Sequence, residues 1–280
     1  MNGRQVREIP VLLLLVLAGC NAPSEPVARD YNWAPTRIVS LDYCADQYVL
    51  KFSDREQILA VSPEAGASYS YMRESAAGLR AVRANAEDVL LLQPDLVVRA
   101  YGGGPRAAAF FDRAGIPVVD IGWAGDLDGV TQNIQRIADE LGQSERGAKT
   151  VATMRARLAA IKSTNTHQSA LYLTPSGYTT GSGSMIDEML SVAGFENFEP
   201  RAGWHPLPLE RLAYEQPDVV AAAFFEAPNE HLGAWTPVNH PVAKERLLQQ
   251  PRVALQGSWT TCGGWFLLDA IEALADGASS

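Results

Sequence analysis

AEDVLLLQPDLVV, running from Ala86 to Val98, has a counterpart in LERLAYEQPDVVA, running from Leu209 to Ala221. In both, a Glu stands seven residues before a Pro, Glu87 before Pro94 and Glu210 before Pro217. Apolar residues at helical spacing follow, then Gln-Pro-Asp and a valine-rich run. Pro stops a helix, Asp opens a turn, and the apolar run enters a core as a strand. Helix-QPD-strand alone is common punctuation of an α/β chain. Two copies, one on either side of a long helical stretch, point to two similar α/β lobes.

Working outward from the first copy, Ile38–Leu41, Ile58–Val61, Leu96–Val98 and Ile116–Val119 read as short buried strands. Ala86–Leu92 and Pro105–Ala114 read as helices, the second ending at Gly115. Strand and helix in alternation argue for a parallel sheet covered on both faces. In the middle, Leu127, Val130, Ile134, Ile137 and Leu141 keep a helical period, and after Gly142 the pattern resumes through Val151, Met154, Leu158 and Ile161. The second stretch is ~27 Å long as a helix, enough to join two lobes. The alternation then restarts with Ala170–Leu173, a helix over Met185–Ala193, Val219–Ala223, Val253–Leu255 and a final helix over Trp265–Ala275. The expected fold is therefore α/β, with two Rossmann-like lobes of parallel sheet joined by one connecting helix. The expected boundaries are 37–143 for the first lobe, 144–162 for the helix and 163–280 for the second lobe.

The first residues indicate export. Arg4 and Arg7 precede the apolar run Val11–Leu17, which is too short to span a bilayer, and Ala18-Gly19-Cys20 follow. This is the pattern of a secretory signal. The string LAGC resembles a bacterial lipobox, which predicts a signal peptide over 1–19, lipidation of Cys20 and a tether over 20–36. The expected location is the periplasmic face of a bacterial membrane, held by a lipid anchor. A net charge of −9 argues against nucleic acid as a partner. Cys44 and Cys262 remain as a candidate disulfide in an oxidising compartment, or as two independent buried thiols.

RIVSLDYCADQ (Arg37–Gln47), the paired QPD motifs and the single connecting helix resemble the periplasmic binding proteins for vitamin B12, haem and ferric siderophores. The resemblance covers nearly the whole chain after the tether. It implies two lobes that move little about a rigid helix, a metal chelate held in the cleft, and a monomer. It also implies delivery to a dimeric permease of an ABC importer powered by an ATPase. In the vitamin B12-binding relatives one surface Glu per lobe pairs with permease arginines, and the matching positions here are Glu87 and Glu210. Both also stand at helix starts, where a carboxylate favours the dipole with no partner at all.

Ligands of parallel α/β sheets bind beyond the carboxyl ends of the strands. The loops expected there carry Tyr43, Tyr69, Tyr71, Tyr101, Trp123, Tyr178, Trp204, Trp235 and Trp259. Rigid aromatics suit a flat, bulky macrocycle. Arg73 and Arg99 lie in the same loops, and a guanidinium fork suits an anionic chelate. The aromatics lean towards a corrinoid and the arginines towards an anionic iron chelate, and on balance the iron chelate is expected.

Two other readings remain. A bare transition-metal ion would need converging ligands, and His205, His231 and His240, with Glu226 and Glu230, lack the close spacing of a dedicated site. An interaction lipoprotein without transport would have no deep cleft. No cofactor and no catalytic residue are expected, since no G-x-S-x-G elbow is present and Cys44 is flanked by Asp42 and Asp46, which oppose thiolate formation.

Overall fold

The computed structural model describes residues 34–161, 167–224 and 237–278. The expected signal peptide, Cys20, most of the tether, and Trp235, Glu226, Glu230 and His231 lie outside the described residues.

The first lobe runs β1 (Ile38–Ser40), α1 (Tyr43–Phe52), β2 (Ile58–Ala60), α2 (Arg73–Ala76), α3 (Ala86–Leu90), β3 (Leu96–Arg99), α4 (Ala107–Arg113), β4 (Val118–Asp120) and α5 (Leu127–Glu140). After α6 (Ser144–Ala160) the second lobe runs β5 (Ser169–Leu173), β6 (Tyr178–Thr180), α7 (Met185–Val192), β7 (Glu196–Asn197), β8 (Trp204–Pro206), α8 (Leu209–Leu212), β9 (Val219–Phe224), α9 (Pro241–Leu248), β10 (Arg252–Gln256), α10 (Gly257–Thr260) and α11 (Leu267–Ala278). Two separate four-stranded sheets result, β2-β1-β3-β4 and β10-β9-β5-β7, with every pairing within them parallel. Counting β5, β7, β9 and β10 as the first to fourth strands of their sheet gives the order 4-3-1-2, which is 2-1-3-4 read from the other edge. Both lobes thus share one topology, and each QPD turn feeds its third strand.

The pleat explains why these strands read as unbroken apolar runs. Leu96 and Val98 of β3 face the main core while Val97 faces an outer cluster with Val89 and Phe111. In β9, Val219 and Ala221 face the main core while Val220 joins Leu212 and Leu247 outside. Strands covered on both faces carry apolar residues at every position. The main core is continuous through both lobes, from Ile38, Val49 and Phe52 to Met189, Phe266 and Ile271. Residues 32–280 form one compact unit, so the sheets are lobes of a single body.

Helix α6 is tied to each lobe by an arginine. Arg146 donates to Phe52 O at 2.8 Å and to Asp54 at 2.6 Å in the first lobe. Arg157 donates to Asp269 at 2.6 Å and to both carboxylate oxygens of Glu272 in the second. The guanidinium holds the Glu272 carboxyl below the usual range. A fork engaging two oxygens fixes direction as well as distance. Further ties cross directly between the lobes. Tyr48 Oη donates to Gly263 O at 2.9 Å, Leu127 N donates to Glu188 Oε2 at 2.7 Å, and Cys44 is disulfide-bonded to Cys262 across 218 residues of sequence.

Two elements differ from expectation. Tyr43, expected in a loop, is the first residue of helix α1, capped by Asp42. The segments carrying Tyr178 and Trp204, expected as loops, contribute the antiparallel pair β6–β8. This pairing spans more than twenty residues and leaves no local signature.

Candidate functional site

The order 2-1-3-4 places the reversal of strand order between β1 and β3, the position where open α/β sheets bind ligands. Asp42 organises that point. Its Oδ1 accepts from Ala45 N at 2.9 Å, capping α1. Its Oδ2 accepts from three successive amides, Ala100 at 2.7 Å, Tyr101 at 3.0 Å and Gly102 at 2.8 Å. One buried carboxylate thereby fixes the loop after β1 to the loop after β3. Gly102 is required here, because a Cβ would lie 2.5 Å from Leu41 O. Tyr43, at the start of α1, and Tyr101, in the loop after β3, pack edge to face at 5.9 Å.

The turn after β4 is held by Asp120, whose Oδ1 accepts from Gly122 N at 2.9 Å. Arg136 donates to the carbonyls of Asp120 and Ile121, and Gly122 takes a φ of +71°. Trp123 follows and is 88 % exposed. From the second lobe, β8 presents Trp204, 56 % exposed and edge-on to Tyr172 at 6.0 Å. Ser184 caps α7 by accepting from Asp187 N, bringing Met185 and Ile186 to the same place.

These side chains enclose a cavity of about 480 Å³ between the lobes, with Tyr43, Tyr101 and Trp123 on one side and Tyr172, Met185 and Trp204 on the other. Cys44 and Cys262 lie in its wall, so the inter-lobe disulfide borders the ligand space. Among the described residues, none of those lining the cavity is Asp, Glu, Lys, Arg or His. Burial pushes the phenol of Tyr43 up, against an opposing hydrogen bond from Tyr101. Burial likewise raises Tyr101 and Tyr48, and the nearby Tyr43 and Asp42 add to the rise at Tyr101. Burial outweighs the nearby Arg136 charge at Tyr48, and these phenols are neutral donors and acceptors.

Of the residues expected in the site, Tyr43, Tyr101, Trp123 and Trp204 line the cavity. Tyr69 stands beside it, edge-on to Tyr43 at 5.1 Å. The other described ones stand away from it. Arg99 is 7 % exposed and turned into its own lobe, donating to Gly102 O, Gly104 O and Asp120. It shapes the loop that carries Tyr101 and offers no fork to a ligand. Arg73 lies outside the cavity, at hydrogen-bond range of Ser68 O and Ser70 O and beside Glu74. Tyr71 donates to Asp269 at 2.8 Å and packs on Phe266, and its phenol is pushed up to about 12 by burial and the carboxylate it bonds. It borders a second hollow of about 470 Å³ along α6, whose Arg146 and Arg157 are already paired with carboxylates. Tyr178 stands exposed on the hairpin opposite Pro206, and Trp259 packs against the main core. Trp235 lies outside the described residues. Tyr48, Tyr172 and Met185 line the cavity without having been expected. The elements of Tyr172 and Met185 were legible, but not the face each presents, whereas Tyr48 lies in α1, which the sequence did not display.

For a bare metal ion, no group of three or more His, Cys, Asp or Glu is suitably placed among the described residues. His205 is engaged with Ala202 O, and the His240 ring accepts from Val242 N to cap α9. Glu87 and Glu210 are both exposed, in the first turns of α3 and α8.

Two parallel α/β lobes of like topology with a cavity between them define a two-lobe ligand-binding protein. The family model described as periplasmic binding protein matches residues 38–253, and the chain belongs to that family. It is 28 % identical over 201 residues to the cobalamin-binding protein of Halobacterium salinarum, covering 66 % of this chain and 53 % of that protein. The chain thus spans about half the length of that relative. It is 26 % identical over 241 residues to the vitamin B12-binding protein of Yersinia pseudotuberculosis, covering 81 % of this chain and 80 % of that one. The periplasmic heme-binding protein RhuT from Roseiflexus sp. RS-1 in apo form superposes with a TM-score of 0.67 at 24 % identity, covering 86 % of this chain and 98 % of that one. At that identity the likeness establishes the fold.

Proposed function

We propose that this chain is the capture component of an ABC importer and that its ligand is a corrinoid. It is exported, anchored through Cys20 at the periplasmic face of the membrane, and acts as a monomer without catalysis. Its first lobe spans 37–143, the connecting helix 144–162 and the second lobe 163–280. Tyr43, Tyr101, Trp123 and Trp204 grip the ligand, and Glu87 and Glu210 dock the loaded protein on a permease dimer with its ATPase.

The observation that carries the choice of ligand is the uncharged wall of the cleft among the described residues. Haem brings two carboxylates and a catecholate siderophore several negative charges. A buried anion without a paired cation is costly, by about 1–3 kcal/mol or more for each group left unsatisfied. Cyanocobalamin has no net charge. Its corrin plane suits flat aromatic walls, and its amides suit neutral hydroxyls and backbone groups. The arginines that favoured an iron chelate are engaged elsewhere. The cobalamin- and vitamin B12-binding relatives lend support to the same choice.

Quenching of tryptophan fluorescence in the soluble chain tests this, with cyanocobalamin, haemin, a ferric catecholate and a ferric hydroxamate titrated separately. Saturable quenching by cyanocobalamin at the lowest concentration is expected. Tighter binding of haemin or the catecholate would overturn the assignment, and preference for the uncharged hydroxamate would keep the uncharged cleft but replace the corrinoid.

A further inference from the structure

Six large apolar or aromatic side chains are prominently exposed among the described residues: Leu91, Tyr101, Trp123, Tyr178, Trp204 and Tyr214. Tyr101, Trp123 and Trp204 line the cleft. Tyr178 belongs to the hairpin that presents Trp204. The remaining two are Leu91, 82 % exposed, and Tyr214, 89 % exposed. They occupy the same position in the two copies of the helix-QPD motif, each four residues after the motif's Glu and three before its Pro. Scattered exposed leucines need no explanation. Two that coincide under an internal duplication, each beside an exposed carboxylate, form a pattern.

Local geometry puts each pair on one surface. Leu91 N donates to Glu87 O at 3.2 Å, so Leu91 sits one helical turn from Glu87 on the same face. Ala213 N donates to Leu209 O and Tyr214 N to Arg211 O, continuing the turn that starts with Glu210. Neither Glu87 nor Glu210 forms a salt bridge among the described residues, whereas the neighbouring Asp88 pairs with Arg83 and Glu215 with Arg211. Each lobe therefore offers the same two-part patch, a carboxylate outside any salt bridge among the described residues and an apolar knob about 6 Å away, with Arg201 attracting Glu210 from a longer range. A complementary surface has a cation beside an apolar recess, and it must present this twice. A dimer with two equivalent subunits does so.

We propose that Leu91 and Tyr214 are the apolar contacts of a docking surface repeated once in each lobe, and that its occupant is the permease dimer of the importer. Each permease subunit receives one carboxylate and one apolar side chain. This rests on the importer reading. Apolar side chains packed beside an ion pair exclude water from it, and tyrosine is enriched among the residues that dominate binding energy at interfaces. The acids guide encounter, and the knobs hold the complex.

The test measures binding of the full chain to its cognate permease–ATPase complex in lipid nanodiscs by surface plasmon resonance. Wild type is compared with Leu91→Ser and Tyr214→Ser, and cyanocobalamin titration of each free protein serves as the second readout. We expect each variant to bind the permease about tenfold more weakly, chiefly through faster dissociation, with cyanocobalamin affinity unchanged. Permease binding within about twofold of wild type in both variants, or a loss confined to one lobe, would overturn the proposal while leaving the importer reading in place. Failure of the wild type itself to bind the permease would remove that reading and this inference together.

Discussion

Replacing Asp42 by asparagine tests how the cleft is assembled. The carboxylate serves four amides, three of them through one oxygen. An asparagine has one acceptor oxygen. If that oxygen faces Ala100, Tyr101 and Gly102, the amide nitrogen faces Ala45 N and the helix cap is lost, at about 1 kcal/mol. The three loop bonds survive as neutral ones, and hydrogen bonds to a charged group are about twice as strong as neutral ones. Losing that difference three times, at somewhat under 1 kcal/mol each, adds about 2 kcal/mol. Asp42→Asn is thus expected to lower unfolding stability by about 3 kcal/mol. Urea denaturation followed by tryptophan fluorescence reads this. Because Tyr43 and Tyr101 hang on the same joint, cyanocobalamin affinity under native conditions should fall by about tenfold. A stability loss below about 1 kcal/mol, with unchanged affinity, would refute the idea that one carboxylate sets the geometry of both loops.

The remaining predictions concern separate parts of the molecule. Cys262→Ser removes a cross-link closing most of the described chain, and stability should fall by up to ~5 kcal/mol in the chain-entropy view; a melting temperature equal to that of wild type would contradict this. Burial raises Asp46 from 3.8 to about 6 against the hydrogen bonds from Ser62, so the fold prefers this carboxyl protonated. Its contribution is present below the unfolded value of 3.8 and is lost as pH rises through about 6, some 3 kcal/mol in all. Asp46→Asn should flatten the pH dependence of thermal stability between those values, and an unaltered profile would count against the assignment. Trp123→Ala and Trp204→Ala should each weaken cyanocobalamin binding by about tenfold or more, with little effect on melting temperature because both side chains are exposed; intact affinity in both would show that the ligand sits elsewhere.

The lobes were legible because the strong signals are local. Pro94 and Pro217 stop helices, and Asp95 and Asp218 open turns. Asp95 takes the amides of Thr36 and Arg37, and Asp218 takes that of Ser169. The duplicated motif therefore marks equivalent joints in the two sheets. Helix α1 was hidden because Cys44, Ala45, Asp46, Gln47, Tyr48 and Val49 are buried in succession, which erases amphipathic alternation. The hairpin β6–β8 was hidden because its strands meet only in three dimensions. At the site, Trp123 was legible from its place just beyond the fourth strand of the first lobe, and Trp204 from its place in the segment between the helix over Met185–Ala193 and the strand over Val219–Ala223. Arg99 misled because a guanidinium at a strand end suggests an anion, while the carbonyls of Gly102 and Gly104 that capture it come from a turn whose shape the sequence does not display.

The most direct measurement is equilibrium dialysis of the soluble chain against equimolar cyanocobalamin and haemin, at low and at high ionic strength. Recognition through uncharged aromatic walls predicts that cyanocobalamin is retained over haemin and that its retention is insensitive to salt, since no charge pair is there to screen. Retention of haemin, or binding that collapses as salt is added, would contradict the account.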